Sequence, residues 1–338
     1  MTGRGMKWQN TTDKELLGLK LSQLKPTLKS EFIQRCLNQL AVELELKGLK
    51  IKPAYWYSDE WFSPDGVIGI AIPFYLSHPR LMNLEKKFIG EVEGGDHQWC
   101  MKLLRHEIGH VVDNAFGLRR RRKRQVLFGL SKTPYPKSYD PNPHSRQFVK
   151  HLDGFYAQAH PDEDWAETFA VWLDPDSDWQ NKYRASRIVS QKLLYVEEVM
   201  SEYVGVRPKR PCYDKVSPIS EMNIRLSTYF NRKLKRLNLN QNSLFHRDLN
   251  RIFTKDNSGV KASRLIKSRR GPLTEQLSQN LKQPRYRIRR VLDTIINDCE
   301  RENLSLMDTE YQAEIKLKHL LEKKTRRFIQ LGEHRIRM

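Results

Sequence analysis

The chain has 338 residues, enough for one large domain or two ordinary ones, and its 60 Lys and Arg against 40 Asp and Glu give a formal net charge of +20. It has no run of eighteen apolar residues and no apolar core in residues 1–14, so we expect neither a transmembrane helix nor a secretory signal. Cys36, Cys100, Cys212 and Cys299 are scattered without CxxC spacing. This pattern is typical of reduced thiols and predicts a cytoplasmic protein without a cysteine zinc site.

Helical and strand patterns alternate in the first part of the chain. Residues 26–47 carry apolar side chains at three- and four-residue spacing and end at Gly48, which predicts a helix. Residues 50–57 and 67–73 are predicted strands, and the Ser-Pro-Asp-Gly sequence at 63–66 predicts a turn between them. We therefore expect a mixed α and β order.

A helix predicted over residues 98–116 carries the sequence His106-Glu107-Ile108-Gly109-His110. Positions i and i+4 share one face of a helix, so His106 and His110 can hold one metal ion while Glu107 holds a water beside it. Neutral imidazoles at this spacing suit Zn²⁺. The alternative is an exposed helix face with two unpaired histidines. The apolar flanks favour a buried helix, and Gly109, which costs about 1 kcal/mol relative to Ala in a helix, suggests that another backbone packs closely there.

Two segments follow before the next acidic motif. Residues 119–124 are six basic residues in a row, which either form a solvated helix start or line the rim of a cleft. Residues 132–143 are rich in Pro, Ser and Tyr and predict a loop, placed over that cleft. Further helices are predicted around Ser145 and over residues 183–204.

The third metal ligand is expected from a second helix that begins at Pro161, because proline suits the first helical position and acids cluster in the first turn. Glu163 and Glu167 share one face of this helix. Glu163 can bind zinc, and Glu167 can accept a hydrogen bond from a ligand histidine. His160 is a competing ligand, less favoured because it precedes Pro161 and should lie outside the helix. The alternative without metal is a solvated helix start.

Two sequences together, RHEIGHVVDNAFG and YAQAHPDEDWAETFAVWL, resemble a bacterial, gluzincin-like family known as the putative zinc-binding metallopeptidases. SDEWFSPDGVIGIAIPFYLSHPRL and VEGGDHQWCMKLLRHE are also similar to that family, so the resemblance covers roughly residues 13–205. It implies zinc ligands at His106, His110 and Glu163, a general base at Glu107 and a supporting acid at Glu167. A weaker resemblance to the catalytic domain of lethal-factor-type toxins places their catalytic tyrosine on Tyr156.

Two further residues each have a functional and a structural interpretation. A phenol at Tyr156 can donate a hydrogen bond to the oxyanion of the transition state, and loss of one such donor typically costs about 10²–10³ in rate. The alternative is a packed loop tyrosine beside Phe155. Asp113, one turn after His110, is either a surface helix residue or an acceptor that supports a ligand histidine.

The expected fold class is α+β: a zincin-like metallopeptidase domain with a small sheet, an active-site helix and a helical second half, followed by a mostly α-helical basic C-terminal region. The predicted boundaries are a leader segment 1–25, the peptidase domain 26–210 and the basic region 211–338. Gluzincins place a strand beside the active helix to pair with the substrate backbone. Residues 67–72 are the candidate for that strand, with an interior strand as the alternative.

The basic region carries most of the excess charge: from Lys215 onward there are 28 Lys and Arg against 13 Asp and Glu. Arg285, Arg287, Arg289 and Arg290 flank an aromatic residue, a pattern compatible with phosphate contacts. No nucleic-acid motif is present, however. The region is a candidate to bind nucleic acid, an acidic protein or a membrane surface, and simple solvation is the remaining interpretation.

Two functions from different classes follow from these patterns. The first is a zinc metallopeptidase that acts on a peptide or protein substrate, with Glu107 as general base and Tyr156 as oxyanion donor. The second is a non-catalytic zinc-containing protein whose basic region binds nucleic acid or an acidic partner. The intact Glu107 favours the first function, because an idle metal site does not need a base.

Overall fold

The computed structural model describes residues 8–209, 211–236, 246–256, 259–281, 283, 285–330 and 336–337. The chain divides into two compact units. The first comprises residues 1–137, 144–232 and 338, and the second comprises residues 138–143 and 233–337.

The first unit is mainly helical and contains one small parallel sheet. Its described elements are, in chain order, α1 (Asp13–Gly18), α2 (Leu21–Leu24), α3 (Glu31–Leu46), β1 (Ala54–Ser58), β2 (Gly69–Pro73), α4 (Pro79–Ile89), α5 (His97–Phe116), α6 (Arg122–Phe128), α7 (Pro161–Leu173), α8 (Trp179–Lys182), α9 (Arg187–Ser201) and the start of α10 (Leu226–Arg236). Short 3₁₀ turns connect several of them, including Asp153–Gln158 between α6 and α7.

The sheet confirms both predicted strands, although each is shorter than its sequence pattern. β1 and β2 run parallel, with Tyr55 opposite Ile70. All of β2 is buried. The N–H of Ala71 donates to the carbonyl of Phe62 at 2.9 Å, on the edge of β2 that faces away from β1. Because both edges of β2 have protein partners at this point, the contacts favour an interior strand over one that is free to pair with a substrate.

The core of the first unit is organised around α5 and α7. Asp96 caps the start of α5 by accepting the N–H of Trp99 at 2.9 Å, and Gly117 ends the helix with φ 64°. Gly109 faces α7 so closely that a Cβ there would lie 2.9 Å from the Cα of Ala166. Trp165 of α7 donates to the Gly109 carbonyl at 2.9 Å. The close backbone approach that the mid-helix glycine suggested is therefore confirmed.

The acids in the first turn of α7 are buried, so this turn is not a solvated helix start. Pro161 occupies the first helical position, as predicted. Each acid has a different partner: Asp162 accepts a hydrogen bond from Arg124, Glu163 faces the histidines of α5, and Asp164 accepts one from Lys192 at 2.5 Å. Favourable placement near the helix dipole is thus supplemented by specific charge pairing.

The basic run at 119–124 is largely paired with acids. Arg124 is fully buried and donates to Asp113 at 2.6 Å and to Asp162 at 2.9 Å, so it joins α5 to α7. Arg119 pairs with Asp65 and Asp113, Arg121 with Glu202, and Lys123 with Glu198. Four of its six residues thus form ion pairs within the first unit, and Arg124 is buried. Arg120, Arg122 and Lys123 are nevertheless exposed, as a solvated helix start predicts.

One predicted helix is not formed: residues 144–152 near Ser145 are irregular. Their backbone N–H groups are used elsewhere. The N–H of Lys150 donates to the Tyr183 hydroxyl at 3.0 Å, and the N–H of Leu152 donates to Glu167 at 2.9 Å. These bonds to distant side chains replace the hydrogen bonds within a helix that local sequence favours.

The second unit is helical, as predicted for the basic region. Its described elements are β3 (Ser138–Tyr139), α11 (His246–Leu249), β4 (Phe253–Thr254), α12 (Ala262–Leu281), α13 (Arg285–Arg301), β5 (Ser305–Leu306), α14 (Glu310–Gln330) and β6 (Ile336–Arg337). β3 pairs with β6 and β4 with β5, both antiparallel. The three long helices bury a core of their own, which includes Leu277, Ile295 and Leu317.

The fold class is α+β, with a high helical content and small sheets, as the sequence predicted. Among the described residues, no helix is long and apolar enough to cross a membrane. The proposed division at residues 25 and 210 stays a prediction.

Residues 211–232 contribute to the core of the first unit. Phe230 stacks on Phe88 with ring centroids 4.4 Å apart, and Tyr229 meets the edge of Phe74 at 5.0 Å. The carbonyl of Cys212 accepts the N–H of Ile68 at 2.7 Å. Trp56 of β1 also donates to the carbonyl of Val216 at 3.0 Å. These contacts connect the segment to both α4 and the sheet of the first unit.

Truncation after Arg236 should therefore preserve the first unit, whereas truncation after residue 210 should destabilise it. The shorter form loses Tyr229 and Phe230, and full burial of such a side chain contributes about 1.5–3 kcal/mol. Urea unfolding followed by circular dichroism measures the difference. Equal unfolding midpoints for the two truncated chains would show that residues 211–236 do not stabilise the core.

Arg124→Leu should destabilise the chain by up to about 3–5 kcal/mol, because it removes the buried cation shared by Asp113 and Asp162 and leaves them only the longer contacts with Arg119. Arg122, exposed and two residues earlier in the same run, provides the matched control. Arg122→Leu should change the unfolding free energy by about 0.5 kcal/mol or less. Similar losses for the two variants in urea titrations would contradict the assigned role of Arg124.

Candidate metal centre

Three side chains from α5 and α7 converge on one point. The Nε2 atoms of His106 and His110 lie 3.2 Å apart, and Oε2 of Glu163 lies 3.0 Å from the first and 3.3 Å from the second. Ligand atoms bound tetrahedrally at zinc distances of about 2.0–2.1 Å are separated by roughly 3.3 Å. The spacing of these three atoms therefore matches one face of a tetrahedral zinc site.

All three residues are buried, and they form the one group of at least three His, Cys, Asp or Glu side chains in the described part of the chain with this convergence. Helical spacing supplies the two histidines, and the close approach at Gly109 brings Glu163 opposite them. Two imidazole nitrogens and one carboxylate oxygen are a donor set that suits zinc. The residues present therefore fit the metal that the sequence predicts.

Glu167 fixes the ring of His106. The Nδ1–H of His106 donates to Oε1 of Glu167 at 2.9 Å, so Nε2 is directed to the other ligands. The second oxygen of Glu167 accepts the N–H of Leu152 at 2.9 Å, which holds the carboxylate in place. Glu167 is fully buried and lies where a carboxylate orients a metal-binding histidine.

Glu107 lies beside this cluster and is 6 % exposed. Its Oε2 is buried and has no hydrogen-bond partner among the described residues. Burial raises the pKa of this carboxyl above its ordinary value. Ser63 donates to the backbone carbonyl of Glu107 at 3.1 Å and so anchors this turn of α5 to the segment before β2. An unpartnered carboxylate oxygen at this place is suited to hold a water.

The histidines and Glu163 shift one another's proton affinity. Burial alone would lower the pKa of His106, but its hydrogen bonds to Glu163 and Glu167 outweigh burial and raise the pKa well above 6.5. The pKa of His110 is also raised, because the charge of Glu163 outweighs the effect of burial. For Glu163, burial alone would raise the pKa, but the charges and hydrogen bonds of the two histidines outweigh burial and hold the pKa well below its ordinary value. Without metal, the two histidines and Glu163 thus favour one another's charged forms.

Two tyrosines lie near the cluster. Tyr156, on the 3₁₀ turn Asp153–Gln158, has its ring centroid 5.5 Å from that of His106. Tyr135 was missed by sequence reasoning, although the loop predicted over residues 132–143 contains it. Its hydroxyl donates to Oε1 of Glu163 at 2.8 Å. The only feature of the sequence that pointed to Tyr135 was its place in a loop between the two segments that carry the metal ligands.

His160 and Asp113 are placed away from the point where the ligands converge. His160 caps α7: its Nδ1 accepts the N–H of Asp162 at 3.1 Å, and its Nε2 lies 2.7 Å from the Thr133 carbonyl. Both ring nitrogens are therefore in use. Asp113 pairs with Arg124 and Arg119. Neither interpretation of Asp113 describes these contacts. The side chain is buried, unlike that of a surface residue, and its hydrogen-bond partners are arginines and not a ligand histidine.

Comparison with known families matches residues 100–236 to a family described as "Putative zinc-binding metallo-peptidase". The matched segment contains α5, α7 and all three converging ligands. Comparisons with curated proteins and with solved structures gave no match. The family match, together with the His/His/Glu cluster, identifies zinc as the metal of this centre. Over residues 100–236, the chain thus matches the zinc-binding metallo-peptidase family that its sequence motifs indicate.

Proposed function

We propose that this chain is a zinc-dependent peptidase that hydrolyses peptide bonds. The observation that carries the proposal is the unpartnered, buried oxygen of Glu107, a carboxyl that interacts electrostatically with the converging side chains of His106, His110 and Glu163. A purely structural zinc site is closed by four protein ligands. Here three side chains converge among the described residues, so the fourth position of a tetrahedral site has no protein ligand among them, and the unpartnered oxygen belongs to the neighbouring Glu107.

The proposed roles follow from the positions of the side chains. His106, His110 and Glu163 would hold the metal, with Glu167 orienting His106. When bound, zinc supplies a Lewis acid for the substrate carbonyl and makes water more acidic. Glu107 accepts the proton of the attacking water through its free oxygen and then delivers it to the leaving amine. Burial raises the pKa of Glu107 towards neutral pH, which suits a group that must both accept and release a proton.

Tyr156 is the proposed donor to the oxyanion. Its ring lies beside His106, on the 3₁₀ turn that precedes α7. Gly154 and Phe155 have φ of 74° and 58°, so the backbone that presents the tyrosine is held in the left-handed region. Backbone of this kind often presents functional side chains. A phenol beside the metal ligands can stabilise negative charge as it develops on the carbonyl oxygen.

The crossing of α5 and α7 supports a gluzincin-like arrangement, in which HExxH lies on one helix and a glutamate ligand on the next. A peptide or protein substrate is the class that such a site takes. The four cysteines are free thiols, in keeping with the expected cytoplasmic location. The comparisons lend no support to the alternative in which the basic region binds nucleic acid.

The purified chain should bind about one zinc ion, and binding should release protons. The hydrogen bonds of His106 to Glu163 and Glu167 outweigh burial and raise its pKa, which favours the protonated imidazole in the metal-free chain, and this proton must leave before the nitrogen can bind zinc. Zinc affinity should therefore fall as the pH is lowered, and proton release should decrease as the pH rises above the raised pKa. Titration calorimetry in buffers of different ionisation enthalpy measures the protons released.

His110→Gln should abolish tight zinc binding, whereas His319→Gln should not, because His319 is an exposed residue of α14. Metal analysis after dialysis gives the stoichiometry of each variant. Full zinc content in His110→Gln, or a zinc affinity that does not fall as the pH is lowered, would contradict the assigned ligands.

Glu107→Gln should keep the fold and the zinc but reduce peptide hydrolysis by about 10²–10⁴-fold or more, because an amide cannot accept the proton of the water. Glu91→Gln, an exposed residue outside the centre, should leave turnover unchanged. Glu167→Gln should instead weaken zinc affinity by about 10–100-fold. The assay is digestion of a peptide library followed by mass spectrometry. Near wild-type turnover by Glu107→Gln on any cleaved peptide would show that Glu107 is not the base.

A further inference from the structure

The two carboxylate oxygens of Glu163 have different partners. Oε2 lies 3.0 Å from Nε2 of His106 and 3.3 Å from Nε2 of His110, at the point where the ligands converge. Oε1 accepts a hydrogen bond of 2.8 Å from the hydroxyl of Tyr135. A carboxylate can bind a metal through one oxygen or through both. The contacts of Glu163 favour binding through one oxygen, because Oε2 faces the other ligands and Oε1 is hydrogen-bonded to a phenol.

Tyr135 is held in place independently of Glu163. Its ring stacks on the ring of His160 with centroids 3.7 Å apart and an angle of 14° between the planes. His160 is itself fixed, since it caps α7 and its Nε2 lies 2.7 Å from the carbonyl of Thr133. The phenol is therefore positioned by contacts with the start of the same helix that carries Glu163.

We propose that Tyr135 is a positioning residue that holds Glu163 to the metal through Oε2 alone and keeps Oε1 off the metal. This inference rests on the proposed metal centre and deepens it. A second carboxylate oxygen on the metal would occupy the position that water and the substrate carbonyl need. To bind through both oxygens, Glu163 would have to break its hydrogen bond to Tyr135, so the phenol favours the open, catalytic form of the site.

Tyr135 and Tyr156 are thereby given different tasks. Tyr156 lies against the ring of His106 and is the proposed donor to the oxyanion. Tyr135 is bonded to a ligand carboxylate and acts through it. Loss of the Tyr156 hydroxyl should thus lower turnover with the metal environment unchanged, whereas loss of the Tyr135 hydroxyl should change the metal environment itself.

The test uses the full-length chain loaded with Co²⁺ in place of zinc, because the visible absorption of Co²⁺ is strong in four-coordinate sites and weak in five-coordinate ones. Tyr135→Phe keeps the ring that stacks on His160 and removes the hydroxyl. We expect its cobalt absorption to weaken relative to the wild type and its zinc dissociation constant to change by about 10–100-fold. Tyr156→Phe and Tyr213→Phe, the latter an exposed tyrosine outside the centre, should retain the wild-type spectrum.

A wild-type spectrum and an unchanged zinc affinity in Tyr135→Phe would overturn the proposal. So would an equal spectral change in Tyr213→Phe, since the effect would then not be specific to Glu163. Neither measurement needs a substrate. If the wild-type chain cleaves no peptide but Tyr135→Phe alters the cobalt spectrum, the proposed peptidase activity fails and the role of Tyr135 stands. A wild-type chain that binds no Co²⁺ would overturn both.

Discussion

The close crossing of α5 and α7 at Gly109 is the constraint on which the metal centre depends. A side chain at this position would meet the Cα of Ala166 at 2.9 Å, so the two helices can approach to this distance only with glycine there. Helical periodicity alone places His106 and His110 side by side. It cannot bring Glu163, fifty-three residues after His110, within 3.3 Å of them. The glycine costs about 1 kcal/mol of helix stability, and the crossing it permits supplies the third ligand.

Such close packing buries many charges, and most of those around the crossing are compensated by a neighbour. The first turn of α7 places three successive acids against three different bases, and Arg124 links this turn to Asp113 of α5. Isolated charges in such an interior would cost several kcal/mol each. The pairing also determines which of the three acids can face the histidines. Asp162 and Asp164 hold the helix in place on either side of Glu163, which leaves that side chain free to face the histidines.

Local sequence patterns predicted the parts of the site that depend on local geometry. The i, i+4 histidines, the proline at the first position of α7 and the acids that follow it are all properties of single helices, so their spacing could be recognised directly. Gly109 added information about distance, because a mid-helix glycine implies a close neighbour. The two strands could be predicted in the same way, from short apolar runs on either side of a turn.

The contacts that were missed join residues far apart in the chain. Nothing in the loop over residues 132–143 shows that Tyr135 reaches Glu163, since the contact requires the stack on His160 that only the folded chain creates. The absent helix near Ser145 has the same cause: the N–H of Leu152 is bonded to Glu167, whose position is set by α7. The segment therefore gives up local hydrogen bonds to hold a carboxylate that orients His106.

The number of charged residues in a sequence segment is a poor predictor of how much unpaired charge that segment exposes at the surface. The six basic residues at 119–124 suggested an exposed patch, yet Arg124 is buried and three others are paired with acids brought in from elsewhere. In the C-terminal region, pairs such as Lys267 with Glu300 and Arg270 with Asp293 also neutralise part of the charge. From Lys215 onward, however, 28 basic residues face only 13 acidic ones. Pairing within that segment cannot neutralise the excess, so the region keeps a positive field that attracts anions and weakens as salt is added.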